Sequence, residues 1–440
     1  MIETISTDAT TVAFEHATLV TLHGNEILSD HTLLVRNRRI ESIAPSREFM
    51  TPPDALRLDA SEWHLIPGLF DMHAHIAPTG VGAVHGTADA TEAMTRAADF
   101  LRVMLAHGVT TIRNMAGTPF HLQVRDAVRH GTVLGPRIHT AGPVLETRFT
   151  FPALENFGQL VRTREEARNA VLAHEQAGYD CIKVYNDLDP DIYDEIVATC
   201  RERGLRVVGH VAFSKGLDGA LAARQDSIEH FRSYDFALDT RSGRGARFEG
   251  WLHTTPSRIR EVAEKTADAG TWNVPTLIVE HAITRDSNDT DLPGWLPTWL
   301  SKSLIEDDTR SIFSAAMIDT IRAGKEQRLE LLAALDSAGA PIMAGSDCPA
   351  CALVPGASLH DELALYVEAG LSPQRALRAA TVDAARFLGW EKELGSLAEG
   401  KLADIVVLGS DPIVNIGALR DPVGVVVNGR WCAAEQLQRG

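Results

Sequence analysis

The sequence lacks any apolar run close to the about 18 residues that a helix needs to cross a bilayer. Its first residues, MIETISTDATTVAFEH, also lack the basic and apolar regions of a signal peptide. Both absences argue against a membrane protein and against export. We therefore expect a cytoplasmic protein with no membrane partner.

Cysteine is scarce, with five residues among 440. An odd number of dispersed cysteines argues against a disulfide framework and is typical of a reducing compartment. Only Cys348 and Cys351 have the CxxC spacing of zinc and redox motifs, and no second pair or histidine-rich segment accompanies them. We interpret them as loop cysteines.

Positive charge is also in deficit, with 42 Lys and Arg against 59 Asp and Glu and a net charge of −17. Such a balance opposes attraction to phosphate backbones and to anionic lipid, so a nucleic acid partner is not expected. Internal repeats, low-complexity tracts and heptads are absent from the sequence. The length and the 45% hydrophobic content fit one large globular domain with a smaller satellite.

Both ends of the chain have a sequence pattern that is typical of short strands and turns. Residues 13–45 contain apolar runs that are broken by turn-forming residues, and KLADIVVLG and VGVVVNGRW near the other end have the same style. Asn428-Gly429 is a strong hairpin signal. We predict that residues 1–66 and 391–440 together form one small β-sandwich domain.

The middle of the chain, residues 67–390, alternates apolar strands with helices. The helix at 163–178 has a capping-box spacing and a terminal glycine, and the helix at 191–204 places its apolar residues on one face. Eight such strands predict an α/β fold of the (β/α)8 TIM type, with a doubly wound sheet as the alternative. The candidate strands are 65–75, 109–117, 137–142, 180–186, 206–211, 227–231, 272–279 and 341–347.

Two long, aromatic-bearing stretches follow His230 and Glu280. Because loops at the carboxyl ends of barrel strands build the active face, these stretches are candidates for lids or substrate walls. Exposed insertions without function are the alternative.

Metal-binding residue types stand at the ends of several predicted strands. In LIPGLFDMHAHI, His73 and His75 are two residues apart and so point to the same side of a strand. Each such residue has an ordinary structural explanation alone, but strand ends converge on one rim of a barrel. Together they predict a metal site made of His73, His75, Lys183, His210, His230 and Asp347.

The motifs PGLFDMHAH, IKVYN, GH followed by SIEH, AGSD and LAEGKLADIVVL resemble the metal-dependent amidohydrolase superfamily. The resemblance is to the branch related to imidazolonepropionase and Xaa-Pro dipeptidases, and it covers residues 13–432. It extends to 358–389, which is similar to the helices that follow strand eight in that branch.

The resemblance implies a role for each ligand. His73 and His75 would hold one divalent metal with Asp347, His210 and His230 would hold the second, and carboxylated Lys183 would bridge them. Imidazole and carboxylate ligands suit zinc best.

The chemistry of these groups predicts a mechanism. A neutral lysine amine can add CO2 and become an anionic bridge. A water shared by two cations becomes hydroxide near neutral pH, which would be the nucleophile. Asp347 would take its proton and return it to the departing amine, while Tyr185 could donate a hydrogen bond to the intermediate. His85, Arg148 and Arg232 are candidate substrate-binding residues.

The sequence thus predicts a binuclear metal-dependent hydrolase of an amide-type C–N bond in a small molecule. The stretch AGPVLETRFTFPALENFG replaces the glycine- and histidine-rich loop of dipeptidase relatives, which favours a bulky aryl amide or an N-acyl amino acid over a dipeptide. A cyclic amide, an aryl urea and a carbamate remain alternative substrates. A non-catalytic binding protein is a further alternative, although all six ligand positions are filled. A homo-oligomer is possible.

Overall fold

The computed structural model describes residues 11–24, 26–76, 90–150, 152–241, 245–285, 292–307 and 309–439. The strands are β1 Thr11–Val20, β2 Ile27–Arg36, β3 Arg39–Pro45, β4 Leu56–Asp59, β5 His64–Pro67, β6 Leu69–Ala74, β7 Val109–Asn114, β8 Arg137–Thr140, β9 Val144–Glu146, β10 Gly158–Leu160, β11 Cys181–Val184, β12 Arg206–Gly209, β13 Ser227–Glu229, β14 Trp272–Val274, β15 Ile405–Leu408, β16 Pro422–Val427 and β17 Arg430–Ala433. The helices are α1 Ala90–Ala106, α2 Pro119–Arg129, α3 Arg164–Ala177, α4 Pro190–Arg203, α5 Gly216–Ala222, α6 Tyr234–Leu238, α7 Pro256–Ala269, α8 Leu277–Thr284, α9 Thr298–Ile305, α10 Ala315–Ala323, α11 Lys325–Ser337, α12 Ala357–Glu368, α13 Pro373–Ala379, α14 Val382–Leu388 and α15 Ala434–Arg439.

Strands from both ends of the chain form one eight-stranded sheet in the order β17-β16-β15-β5-β1-β2-β3, with β4 also paired to β1. The seam between the two ends is antiparallel, and β5 pairs with β15 from Pro67 opposite Ile405 to His64 opposite Leu408. Apolar side chains of the two ends share one buried cluster that includes Phe14, Val407 and Trp431. The predicted small β-domain is confirmed, as a single continuous sheet.

The hairpin between β16 and β17 turns at Asn428-Gly429, as predicted. Val427 pairs with Arg430, and the two turn residues have φ angles of 56° and 76°. Positive φ at both positions is the geometry of a type I′ turn, which matches the twist of the flanking strands.

Parallel strands make up the barrel. β6, β7 and β8 form one sheet, and β11, β12, β13 and β14 continue in another that also contains β9 and β10. A bridge between Ala141 and Cys181 joins the two sheets. The last segment, 341–347, closes the ring through a bridge from Ile342 to Asn273 and a hydrogen bond from Met72 N to Ala344 O at 2.9 Å. The predicted (β/α)8 barrel is confirmed.

Three predicted strands differ from the structure. The segment 65–75 is divided at Gly68 into β5, which pairs with β15 in the terminal sheet, and β6 of the barrel. In the segment 272–279 only β14 is extended, and α8 begins at Leu277. Pro275 has no N–H for a ladder, and Thr276 turns the chain with a φ of 47°, so the strand ends there. Segment 341–347 makes one isolated bridge, at Ile342, instead of a regular strand.

The two helices predicted from caps are confirmed. Thr163 accepts a hydrogen bond from Glu166 N at 3.1 Å before α3, which ends at Gly178 with a φ of 89°. α4 ends at Gly204 and buries Ile192 and the other predicted apolar residues. Across the described part of the chain, every helix is too short or too polar to cross a membrane.

Candidate metal centre and active site

The six predicted ligands meet at the carboxyl end of the barrel. His73 lies in β6 and His75 follows it, Lys183 lies in β11, His210 and His230 follow β12 and β13, and Asp347 ends the closing segment. Asp347 Oδ1 lies 3.1 Å from His75 Nε2 and 3.3 Å from His73 Nε2. Lys183 Nζ lies 3.5 Å from His73 Nε2.

The histidines of the second predicted pair join the same cluster. The ring of His230 lies 4.4 Å from that of His73 and 4.9 Å from that of His210, centroid to centroid. Among the described residues, ligand atoms of His73, His230 and Asp347 all lie within 4.8 Å of one another. Three of the donor side chains are therefore already grouped closely enough to share one ion.

Three of these histidines are oriented by a hydrogen-bond partner of their Nδ1 atom. His73 Nδ1 lies 2.9 Å from Glu229 Oε2, and His210 Nδ1 lies 2.9 Å from Asn186 Oδ1. His230 Nδ1 lies 2.6 Å from Thr276 Oγ1. The carboxylate and amide oxygens can only accept, and Thr276 Oγ1 donates its own proton to a carbonyl. Each Nδ1 is therefore the protonated nitrogen, which leaves the Nε2 lone pair free for a metal.

Sequence reasoning missed these orienting partners, Glu229, Asn186 and Thr276. Glu229 is adjacent to a ligand, and Asn186 follows Tyr185 in IKVYN, so both lay inside motifs already noted. Their role depends on which neighbouring strand they face, and that relation is not visible in a linear motif.

Glu229 is itself held by a buried network. Arg113 donates to its two carboxylate oxygens at 2.8 and 3.0 Å, and Ser227 Oγ donates at 2.5 Å. Arg113 also donates to Met72 O at 2.6 Å. The network connects β6, β7 and β13 beneath the ligands, so the position of His73 is fixed by three strands.

The backbone is strained at three positions of the site. His230, Asp347 and Thr276 have φ angles of 60°, 62° and 47°, a conformation that is rare outside glycine and especially unfavourable for β-branched threonine. Strain of this kind persists only where the surrounding structure enforces it, and it is concentrated at functional sites.

Burial dominates the electrostatics of the cluster. It lowers the pKa of His73, His75, His210 and His230, so their rings are neutral at neutral pH. Burial also lowers the pKa of Lys183 to about 8. Burial alone would raise the pKa of Asp347, but the neighbouring histidines lower it by more and keep it below its usual range.

This donor set fits divalent metals. Neutral imidazoles with free Nε2 lone pairs and an ionised carboxylate are the ligands that zinc prefers. Lys183 is 2% exposed, and it forms no ion pair with any residue in the described ranges. A buried amine with no carboxylate within ion-pair distance fits a lysine that becomes anionic on carboxylation better than it fits a structural ammonium.

Of the other predicted site residues, some lie at the ligand cluster and others lie away from it. Tyr185 stacks on His210 with ring centroids 4.0 Å apart, and burial raises its pKa to about 12. Arg232 lines the cavity above the ligands. Arg148 is exposed and pairs with Asp189 at 2.8 Å. His85 lies outside the described residues.

A cavity of about 720 Å³ opens over the ligands. Parts of both long stretches that follow His230 and Glu280 line it, as does Cys351. Its wall is rich in apolar side chains: Phe157, Phe213, Phe236, Phe248, Val279, Ile283, Ile312 and Phe313. Both stretches thus contribute to the cavity wall, as the prediction of substrate walls requires.

Residues 64–432 match the Amidohydrolase family, which is most of the chain. The chain belongs to this family. That membership confirms the predicted superfamily, and the family generally uses divalent metals. This amidohydrolase is 27% identical to an uncharacterized protein of Mycobacterium tuberculosis, with 83% of this chain and 84% of the relative covered. It is 24% identical to ochratoxinase from Aspergillus niger, with 96% and 86% covered.

Solved structures agree on the fold of this amidohydrolase. A Xaa-Pro dipeptidase with bound methionine superimposes with a TM-score of 0.72 at 21% identity, covering 96% of this chain and all of the other. Bottromycin amidohydrolase gives a TM-score of 0.72 at 24% identity, with 97% and 88% covered. The family and its hydrolase relatives support an enzyme that hydrolyses amide-type bonds.

Proposed function

We propose that this chain is a binuclear metal-dependent hydrolase that cleaves an amide-type C–N bond of a small molecule. The observation that carries the proposal is the convergence of six donor side chains, three of them histidines whose Nδ1 atoms are already engaged. The catalytic unit would be the barrel of residues 67–390, and the β-domain would comprise 1–66 and 391–440.

His73, His75 and Asp347 would hold one metal, His210 and His230 the second, and carboxylated Lys183 both, with zinc as the favoured ion. When bound, the ions supply an activated water and polarise the carbonyl group of the substrate. The absence of an ion-pair partner for the Lys183 amine among the described residues supports its carboxylation.

Two side chains of the cavity floor would handle protons. The Asp347 carboxylate would accept a proton as water attacks the carbonyl and would donate it to the departing amine. Tyr185 would keep its hydroxyl proton, since burial raises its pKa, and would donate a hydrogen bond to the oxygen on which charge develops.

The apolar wall supports a substrate with a bulky apolar group, namely an N-acyl amino acid, an aryl amide or a dipeptide with large side chains. The ochratoxinase and Xaa-Pro dipeptidase relatives are compatible with this range. Cyclic amides, aryl ureas and carbamates are the alternative substrates that the test includes.

The experiment measures amine release by zinc-loaded protein from N-acyl amino acids, dipeptides, anilides, a cyclic amide, ureas and carbamates. We expect turnover of at least one acyclic amide and its loss after chelation. Absence of C–N cleavage across this panel would contradict the proposal.

Asp347→Asn should lower kcat by about 10²- to 10⁴-fold, because proton transfer at the reacting atoms contributes this much. Metal content, measured by mass spectrometry on the same samples, separates lost chemistry from lost metal. Asp194→Asn is the matched control, since Asp194 is exposed and pairs with Lys215. Equal turnover by Asp347→Asn and wild-type protein would favour a binding protein.

A further inference from the structure

Two arginines of the cavity wall have no anionic partner among the described residues. Arg232 and Arg247 both line the cavity, and the Nε atom of each is buried without a hydrogen-bond partner. Within the ranges that the structure describes, neither guanidinium forms an ion pair. Buried cations are normally paired, and unpaired buried donors are rare and costly. The pair therefore has the charge and the free donors that an anion-binding site needs.

The nearby carboxylates do not fill this role. Asp235 Oδ2 accepts a hydrogen bond from Phe248 N at 2.7 Å. Burial raises the pKa of Glu280, which disfavours its anion. Burial and the charge of Arg232 together lower the pKa of Arg247 to about 9. The two guanidinium groups therefore repel each other, and a bound anion would offset this repulsion.

Aromatic rings surround the unpaired charges. The guanidinium of Arg247 lies 4.5 Å from the ring centroid of Phe248 and 5.9 Å from that of Phe313. On the same cavity wall, Phe213 and Phe236 pack edge to face with centroids 6.0 Å apart. A ligand here meets a cationic centre and an apolar wall together.

We propose that Arg232 and Arg247 bind the free carboxylate of the substrate while the phenylalanines of the wall receive an aromatic or large apolar group. The substrate class is then an N-acyl derivative of an apolar or aromatic amino acid, cleaved by water into a carboxylic acid and the amino acid. Planar guanidinium groups suit bidentate binding of a carboxylate. This inference rests on the proposed hydrolase function and deepens it.

The test compares benzoate release from N-benzoyl-L-phenylalanine and from its C-terminal carboxamide, which differ only in the carboxylate. Wild-type protein should prefer the free acid by at least about 30-fold in kcat/KM, as expected for a buried charge pair. Equal turnover of the two compounds would overturn the carboxylate site while leaving the hydrolase function intact.

Variants assign the site to its residues. Arg247→Gln should lower kcat/KM for the free acid by at least about 30-fold and change that for the carboxamide by less than about threefold. Arg247→Lys should have a kcat/KM for the free acid between those of wild-type protein and Arg247→Gln. Lysine keeps the positive charge but lacks the paired N–H donors of the guanidinium. Arg168→Gln, in an exposed pair with Glu202, is the matched control and should change neither. A selective loss in Arg148→Gln instead would assign the carboxylate to Arg148 and overturn the proposal.

Calorimetry gives a readout that does not depend on turnover. Zinc-loaded protein should bind 3-phenylpropanoate at least about 30-fold more tightly than 3-phenylpropan-1-ol, and Arg247→Gln should abolish the difference. A difference that persists in Arg247→Gln would place the carboxylate on the metal centre and would overturn the arginine site. If wild-type protein cleaves neither compound but binds the acid through Arg247, the hydrolase function fails for this substrate and the anion site stands.

Discussion

At the residue scale, the candidate metal site depends on side chains that hydrogen-bond to the Nδ1 atoms of its histidines. Asn186 Oδ1 accepts from His210 Nδ1, which fixes both the ring orientation and the protonated nitrogen. Partners of this kind fix the orientation of a ligand and raise its basicity, so they influence metal affinity.

Asn186→Ala should weaken metal binding by about 10- to 100-fold, because the His210 ring loses its only oriented partner on Nδ1 among the described residues. Chelator competition with zinc measures this change. Asn415→Ala is the control, since the Asn415 side chain accepts from Gly417 N on a turn of the C-terminal segment. Equal zinc affinity in both variants would contradict the orienting role.

The six candidate ligands could be selected from the sequence because their residue types are distinctive and they stand at the ends of predicted strands. Arg247 could not be predicted, since it lies in an irregular stretch after α6 and ordinary arginines are mostly on the surface. Arg148 seemed equally suitable in the sequence, yet it pairs with Asp189 in solvent.

At the element scale, a buried ion pair connects the strands that carry the ligands. Arg113→Met removes the partner of Glu229 and should lower the free energy of unfolding by about 3–5 kcal/mol. Urea denaturation measures the change. Arg168→Met breaks an exposed pair and should cost about 0–1 kcal/mol. A comparable loss in both variants would show that burial of the pair is unimportant.

A second element contact has a pH dependence. Glu362 on α12 accepts from Ile278 N at the start of α8, and burial raises its pKa to about 8. In the unfolded chain Glu362 has its ordinary pKa of about 4.3 and is ionised above it, while the native chain keeps the carboxyl protonated. The free energy of unfolding therefore decreases as the pH rises toward 8.

Glu362→Gln keeps an acceptor for the Ile278 N–H and cannot titrate. Wild-type protein should therefore lose stability relative to Glu362→Gln between pH 5 and 8, by at most about 1.4 kcal/mol per pH unit. Urea denaturation at four pH values tests this slope. Parallel stability curves would contradict the raised pKa.

Elements with local signals were predictable, and those defined by tertiary contacts were not. α3 has a capping threonine and a terminal glycine, so its bounds follow from its own residues. Segment 341–347 reads as a strand, but its hydrogen bonds depend on how β6 and β14 approach from either side. The chain turn at Thr276 needs a strained φ that propensity alone would not predict.

At the scale of the whole molecule, the two ends of the chain are joined by close backbone contact. A Cβ atom on Gly429 would lie 2.3 Å from Arg38 Cα, and Gly429 has a φ of 76°. Gly429 N also donates to Ala403 O at 3.0 Å. The hairpin of β16 and β17 thus meets the turn between β2 and β3 at a position that only glycine fits.

Gly429→Ala should lower the free energy of unfolding by more than Gly389→Ala does. Gly389 has a φ of 75° and no atom within 4 Å of the added Cβ, so it isolates the conformational penalty of about 1–2 kcal/mol. The clash at Gly429 should add about 1–3 kcal/mol. Thermal and urea unfolding measure the loss of stability in each variant. Equal losses would show that Arg38 moves away from the added Cβ atom at little cost.

The global architecture was predictable because strand texture at both ends and alternation in the middle are long-range patterns. The aromatic stretches that contain Phe157 and Phe248 could be recognised in the sequence. Their meeting with Phe313 in one cavity could not, since these residues are far apart in the chain and come together only in the folded barrel.

The seam between β5 and β15 also governs the order of events during synthesis. A ribosome completes β5 long before it reaches Ile405, and the intervening chain takes tens of seconds to make. Throughout that time the β5 edge that β15 later covers remains available to other strands. Misassembly and chaperone demand should therefore peak while the barrel is being translated and end when the last strands emerge.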